Sequence, residues 1–395
     1  MSDLNAPQTQ RARLAMHSIQ SEFDFSPSLL HLNHAAVGPW PRRTAEAVCR
    51  FAKENAALGS LHYPQWQAVE QRLRERLARL INAASSDDIA LAKSTSEALS
   101  VIAYGLDWRS GDNIVGIAEE FPSNRIVWES LADQGVQWRA LPLAQSQAIE
   151  EELLARCDAR TRLIAVSWVQ YARGRRLDLE RLGQACRARG ILLCVDAIQG
   201  LGALPFDLQR MPADFVVADA HKWMLGPEGL ALFYCRPDLR EHLRLHQFGW
   251  HMVAAPGDFD RHDWRPAENA RRFECGSPNM LGVQAFEASL SLLEEVGLEA
   301  IERAITERID RLIDLIDAQG FELLSPRAPE QRAGILSFRV PGADHQALWR
   351  SLMEQNLLCA ARGGGIRFSP HFHTRIEQLD RAVTITAASA ARARD

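Results

Sequence analysis

Lysine is nearly absent. Lys and Arg together number 45 in the 395 residues, yet only Lys53, Lys93 and Lys222 are lysines. Arginine cannot offer a free primary amine, so each lysine is a candidate for covalent chemistry. The seven cysteines, at 49, 157, 186, 194, 235, 275 and 359, are odd in number and form no C-x-x-C pair. That excludes a disulfide framework and fits a reduced, cytoplasmic protein. No apolar run approaches the roughly 18–20 residues that span a bilayer, and MSDLNAPQTQRARL lacks the apolar core of a secretion signal. A net charge of −5 leaves no basic excess to hold nucleic acid or an anionic membrane. No G-x-G-x-x-G joins a strand to a helix and no G-x-S-x-G occurs, which argues against a dinucleotide site and a serine hydrolase elbow. His242, His246 and His251 have helical spacing but no suitably placed further ligand, so no metal is expected.

What is present is the composition of a soluble globular protein, 47 % hydrophobic and 24 % charged, long enough for one large enzyme body or two to three domains. Helical spacing marks residues 41–82. Apolar strands then alternate with amphipathic helices: strands at 113–118, 136–141, 162–168, 191–196 and 214–219, helices at 145–157 and 178–189. A return strand is expected at 229–235, near the sheet edge. Near-continuous apolar strands between helices predict a parallel sheet covered on both faces. A long helical stretch at 280–318 follows. Strands at 334–340 and 365–369, a helix at 344–355 and a terminal helix from 374 predict a smaller α/β unit. The expected division is a large domain over 36–285 and a small domain made of 1–35 and 286–395.

In open α/β sheets chemistry gathers at the carboxyl ends of strands. Asp196 ends one apolar strand, and Lys222 follows the next on the loop AHKWMLGPEG. This pairing suits pyridoxal phosphate: Lys222 can form a Schiff base, and Asp196 can hold the pyridine nitrogen protonated. Either residue alone reads equally as a cap or a surface charge. Thr95 and Ser96 open a predicted helix, where hydroxyls and free N–H groups make an anion site.

D-x-x-Q (Asp196 to Gln199) followed by H-K-W-x-x-G-P-x-G resembles the class V aminotransferase family of fold-type I pyridoxal phosphate enzymes. The likeness runs from HLNHAAVGPWP at 31–41 to RGGGIRFSPHFH at 362–373. It implies an α/β fold with a mostly parallel seven-stranded sheet in the large domain and a smaller α/β C-terminal domain. It also implies pyridoxal 5'-phosphate as cofactor and a homodimer with a shared site. By resemblance Thr95, Ser96 and His221 hold the phosphate, Phe121 stacks on the pyridine, and Gln199 with Gln170 or Tyr171 reaches its phenolic oxygen. Ser277, in F-E-C-G-S-P-N, reaches the phosphate of a partner subunit. Arg367 takes the substrate carboxylate, with Arg362, Asn33 and His34 lining the same end. Asp219 stands where the family often has Ser or Asn, so no phosphate contact is carried onto it. The expected activity is aminotransferase-like, at Cα of a small amino acid. A β-lyase or an epimerase is the runner-up, and a catalytically retired scaffold is the reading from another class. His before Lys222, where kynureninases have Tyr, disfavours kynureninase. Desulfurases need a cysteine on a loop before the substrate arginine; here Cys359 lies in a helix-to-strand connection and no loop is inserted.

Overall fold

The computed structural model describes residues 21–392 apart from 144, 145 and 147. The N-terminal stretch read for a signal, the first part of the expected small domain and the start of the helix expected from 145 lie outside the described residues.

Leu30–His31 forms β1. Helices Arg42–Leu58 and Tyr63–Leu80 follow, then β2 (Ile89–Ala92), helix Thr95–Gly105 and β3 (Asn113–Ile117). Next come helix Ser123–Glu129, β4 (Gln137–Leu141), helix Ile149–Ala155, β5 (Thr161–Ser167), helix Leu179–Arg189, β6 (Leu192–Asp196), β7 (Phe215–Asp219) and β8 (Ala231–Cys235). These strands form one seven-stranded sheet in the order β2-β8-β7-β6-β5-β3-β4. From β4 to β7 all pairs are parallel, while β8 runs antiparallel to both β7 and β2. The return strand is therefore one place in from the edge. Ile89–Ala92, too short and mild for the apolar alternation to flag, covers it.

The reason for the continuous apolar strands is visible in their side chains. Ile164, Val166, Leu193, Val195, Val216 and Ala218 point into one core layer. Leu163, Ala165, Cys194, Phe215 and Val217 point into the other. Alternate residues thus bury on opposite faces. The helix at Leu179–Arg189 and the pair Tyr63–Leu80 and Met280–Val296 cover the first face. Thr95–Gly105 and Ser123–Glu129 cover the second.

The stretch 280–318 is two helices, Met280–Val296 and Leu298–Ala318, broken at Gly297, whose φ of 84° no helix accommodates. A second sheet follows, built from β9 (Glu322–Leu323), β10 (Leu336–Arg339), β12 (Ala360–Arg362) and β13 (Gly365–Phe368) in the antiparallel order β12-β13-β10-β9. Helices Leu298–Ala318 and His345–Glu354 pack beside it, and Ile376–Arg392 packs on both of them. β11 (Leu357–Leu358) pairs with β1, and Asn33 bridges Ser369, so the segment after residue 30 is stitched to the C-terminal part. Among the described residues no helix is long and apolar enough to cross a membrane.

Candidate active site

Parallel strands share a carboxyl end, so the residues ending β3, β5, β6 and β7 converge. Asp196 is the last residue of β6 and 2 % exposed. One of its oxygens accepts the Ile198 N–H at 3.1 Å. Burial pushes its carboxyl up to about 6, against that hydrogen bond and the attraction of Lys222. Lys222 stands three residues beyond β7 and is 7 % exposed. Burial lowers its amine to about 8, Asp196 works against the shift and Arg367 adds to it. Its Nζ lies 5.4 Å from the centroid of the Phe121 ring. Phe121 is half-exposed and meets Tyr171 edge-on, with centroids 5.3 Å apart.

The Lys222 loop is held from behind. Gly38 N–H donates to the His221 carbonyl at 2.7 Å. A Cβ at Gly38 would stand 2.2 Å from the Lys222 carbonyl oxygen, so only glycine permits this approach. The Trp223 indole donates to Gln199 Oε1 at 2.8 Å, and Gln199 Nε2 donates to the Ala35 carbonyl at 3.0 Å. Gln199 is thus a tie between the loop and the N-terminal segment. Gln170 is likewise committed: Nε2 donates to the Glu119 carbonyl and Oε1 accepts the N–H groups of Ala172 and Arg173.

Arg367, 3 % exposed on β13, donates through Nη1 to the Tyr171 carbonyl at 2.7 Å and through Nη2 to Asn33 Oδ1 at 3.3 Å. Its buried Nε has no partner among the described residues. Burial, then the neighbouring Arg362, lower this guanidinium to about 10. Arg362 itself is exposed.

At the start of helix Thr95–Gly105 the anion site has a competitor. Thr95 N–H donates to Asp219 at 3.2 Å, and Asp219 N–H donates to Thr95 Oγ1 at 3.1 Å. Ser96 Oγ donates to Ser123 Oγ at 2.8 Å. His221 Nδ1 is buried with no partner among the described residues, and burial, then Lys222, lower this imidazole to about 4. Ser277 is not brought to this cluster. It is exposed on the turn before helix Met280–Val296, beside a surface cavity of about 290 Å³ that it shares with Lys93, Glu97 and Gln247.

His34 is not at the surface of the site but inside a four-histidine cluster. Its Nδ1 faces the Ser369 carbonyl at 2.9 Å, and its Nε2 meets His373 Nε2 at 3.1 Å. A carbonyl only accepts, so Nδ1 of His34 carries the proton and His373 donates to Nε2. His371 Nε2 donates to the Trp223 carbonyl at 3.0 Å while its Nδ1 accepts the Phe372 N–H at 2.8 Å. His31 packs edge-on against His34.

Glu120 carries no signal in its motif, yet the fold brings it to the site. It is 4 % exposed, accepts the Ser167 N–H at 2.7 Å and bonds the Ser167 hydroxyl. Burial pushes this carboxyl up to about 7, the bonds from Ser167 opposing and the Asp196 charge adding. Ser123 is equally silent, a small polar residue that only the fold sets beside Ser96.

The protein-family model for the class V aminotransferases matches residues 30–381. The isopenicillin N epimerase of Streptomyces clavuligerus is 32 % identical over 381 residues, covering 90 % of this chain and 93 % of its own length. A probable cysteine desulfurase of Methanothermobacter thermautotrophicus is 28 % identical over 375 residues, 89 % of this chain and 92 % of its own. Among solved structures, the apo cysteine desulfurase of Thermococcus onnurineus superposes with a TM-score of 0.84 at 21 % identity, covering 95 % of this chain and 98 % of its own. The cystine C–S lyase C-DES, solved with its product cysteine persulfide, gives 0.85 at 24 %, covering 91 % and 97 %. The chain belongs to the class V aminotransferase family.

Proposed function

We propose that this protein is a pyridoxal phosphate-dependent enzyme acting at Cα of an amino acid in the manner of an aminotransferase, with Lys222 tethering the cofactor. The observation that carries the reading is the buried pair of Lys222 and Asp196 at the ends of adjacent strands, each moved by burial toward its neutral form, with the Phe121 ring 5.4 Å from the amine. These residues fit the group: an amine, a carboxyl for a ring nitrogen, an aromatic face, and hydroxyls with the orphaned His221 Nδ1 for a phosphate. Asp219 on the Thr95 N–H leaves Ser96, Ser123 and His221 to carry most of that last task. When bound, the cofactor supplies an aldehyde carbon that bonds to amines and a ring that draws electrons from Cα.

Asp196 holds the proton of the ring nitrogen. Arg367 orients the amino acid by its carboxylate, using N–H groups left over from Tyr171 and Asn33. Lys222 Nζ, neutral above about pH 8, takes the Cα proton and returns it. Desulfuration would need an accessible thiolate here. Cys359 is 2 % exposed and burial pushes its thiol up to about 12, so it does not supply one.

A second reading, epimerisation at Cα, is favoured by the 32 % identity with an epimerase over 90 % of the chain. Tyr171, whose ring meets Phe121 edge-on and whose backbone carbonyl accepts from Arg367, is our candidate for the second proton carrier in that reading. We further read the chain as a homodimer in which Ser277 serves the partner's phosphate. The large unit then spans 36–285 and the small unit 1–35 with 286–395. All seven cysteines are free, which suits the reducing cytoplasm.

The test is the absorption spectrum of purified protein. A visible band that borohydride bleaches and Lys222→Ala abolishes supports the reading. A protein that ignores added pyridoxal phosphate refutes it and makes the chain a retired scaffold. Products then divide the chemistry: a keto acid with the aminated cofactor means transamination, racemised substrate means epimerisation.

A further inference from the structure

Arg367 and Arg362 lie on one face of one hairpin. In the β12–β13 register Ala360 opposes Arg367 and Arg362 opposes Gly365. Residues 360 and 362 share a face, as do 365 and 367, so the two arginines are diagonal neighbours across the pair. Opposite Arg362 stands only a glycine, which leaves its side chain uncovered. The hairpin turns through Gly363 and Gly364 at φ of 64° and 86°. A Cβ on Gly363 would press on Arg173 Cγ at 3.1 Å, and Arg173 Nε donates to the Gly363 carbonyl at 3.2 Å. Arg173 belongs to the loop that crosses this face, fixed by Ser337 Oγ donating to the Ala172 carbonyl at 2.6 Å and by Arg367 on Tyr171. Arg362 and Arg367 therefore share one face, with Arg173 against the turn that joins their strands.

Many arginines of this chain find carboxylates, Arg43, Arg74 and Arg76 each more than one. Among the described residues Arg173, Arg362 and Arg367 have none within ion-pair distance. Arg362 spends one donor, on the Ala361 carbonyl at 2.9 Å. Arg367 spends two of its five N–H groups and keeps a buried Nε with no partner. One α-carboxylate satisfies Arg367 and leaves Arg362 and Arg173, both exposed, without a carboxylate partner among the described residues.

We propose that the substrate bears a second anionic group, a side-chain carboxylate, and that Arg362 receives it with Arg173 at the rim. This rests on reading Arg367 as the α-carboxylate clamp. The side chain is short, because Arg362 is one diagonal step from Arg367 on the same sheet face.

Amine-free acids separate this from the cofactor chemistry. Calorimetry on purified protein compares succinate and glutarate with propionate and butyrate. The diacids should bind about fivefold tighter or more, and the advantage should shrink toward unity near about 0.5 M salt. Arg362→Gln, with Arg173→Gln added, should lower the diacid-to-monoacid ratio at least about threefold, and Arg367→Gln should weaken both classes. Equal binding of diacids and monoacids by the unaltered protein, or a ratio indifferent to salt, overturns the proposal without any variant. So does an unchanged ratio in the folded double variant. Lys222→Ala should keep the ratio, so a missing cofactor band and a missing charge preference are separate failures.

Discussion

Replacing Asp196 with Asn should stabilise the cofactor-free protein at neutral pH. The carboxyl is 2 % exposed, and burial raises it from its ordinary 3.8 to about 6. An acid whose folded value is raised binds its proton more tightly folded than unfolded. The contribution of Asp196 to stability is therefore greatest below about 4 and is lost as pH rises through about 6. Above that window the buried charge costs the fold about 3 kcal/mol, at about 1.4 kcal/mol for each tenfold change in proton affinity. Asn keeps the oxygen that accepts the Ile198 N–H and removes the charge. The attraction to Lys222 is already contained in that figure, so the net gain is about 1–3 kcal/mol. Urea denaturation of the apoprotein at pH 4 and pH 8 measures it: the variant should gain at pH 8 and match the parent at pH 4. With cofactor bound the sign should reverse, because the ring nitrogen then loses its counter-charge. A variant less stable at pH 8 without cofactor, or equally shifted at both pH values, would refute the argument.

Lys222 should capture pyridoxal phosphate at a rate that rises with pH through about 8; Arg367→Gln should move that midpoint up, and Asp196→Asn should move it down, as stopped-flow absorbance would show. Asp219→Asn should tighten cofactor binding about three- to tenfold at pH 8, measured by equilibrium dialysis, because it removes a negative charge from the helix start that receives a phosphate. His31, His34, His371 and His373 are all held neutral by burial, so the unfolded chain takes up more protons than the folded one below pH 6.5. Stability should fall on acidification by up to about 1.4 kcal/mol per pH unit for each histidine, and His373→Phe should flatten that slope in urea titrations at pH 4.5–6.5.

The sheet was legible because its strands are buried on both faces, and an unbroken run as short as ILLCVD between turn residues suits a doubly covered strand better than a helix. Ile89–Ala92 was not, since four small or mild residues at an edge carry little periodicity. Of the site, Asp196 and Lys222 announced themselves through scarcity and position. Gln199, Gln170 and His34 were visible as residue types but not as bonds: an amide's partners are set by backbone carbonyls tens or hundreds of positions away. Glu120 sits inside Glu-Phe-Pro-Ser-Asn and still gave no signal. A glutamate in a loop normally reads as solvated, and only the parallel register puts it against Ser167 at the end of β5. The histidine cluster was hidden for the same reason, its members split between residues 31–34 and 371–373 at the two ends of the chain.

The shifts at the site all run one way. Asp196 and Glu120 are raised, Lys222 and Arg367 are lowered, and in each case burial is the first cause and neighbouring charges only modify it. A cluster tuned mainly by mutual ion pairing would show the opposite, acids lowered and bases raised, as at Arg74, where Glu274 and Glu70 overcome desolvation. The chain therefore has both arrangements, and the cluster at the strand ends is of the burial-dominated kind. An unpaired charge in a dry cleft weakens the fold but binds a counter-charge more strongly than water would allow. The same burial that makes Asp196 costly in the free protein makes it a firm partner for a cationic ring, and the same reasoning applies to Arg367 and a carboxylate. Stability and ligand affinity should consequently trade against each other at these positions.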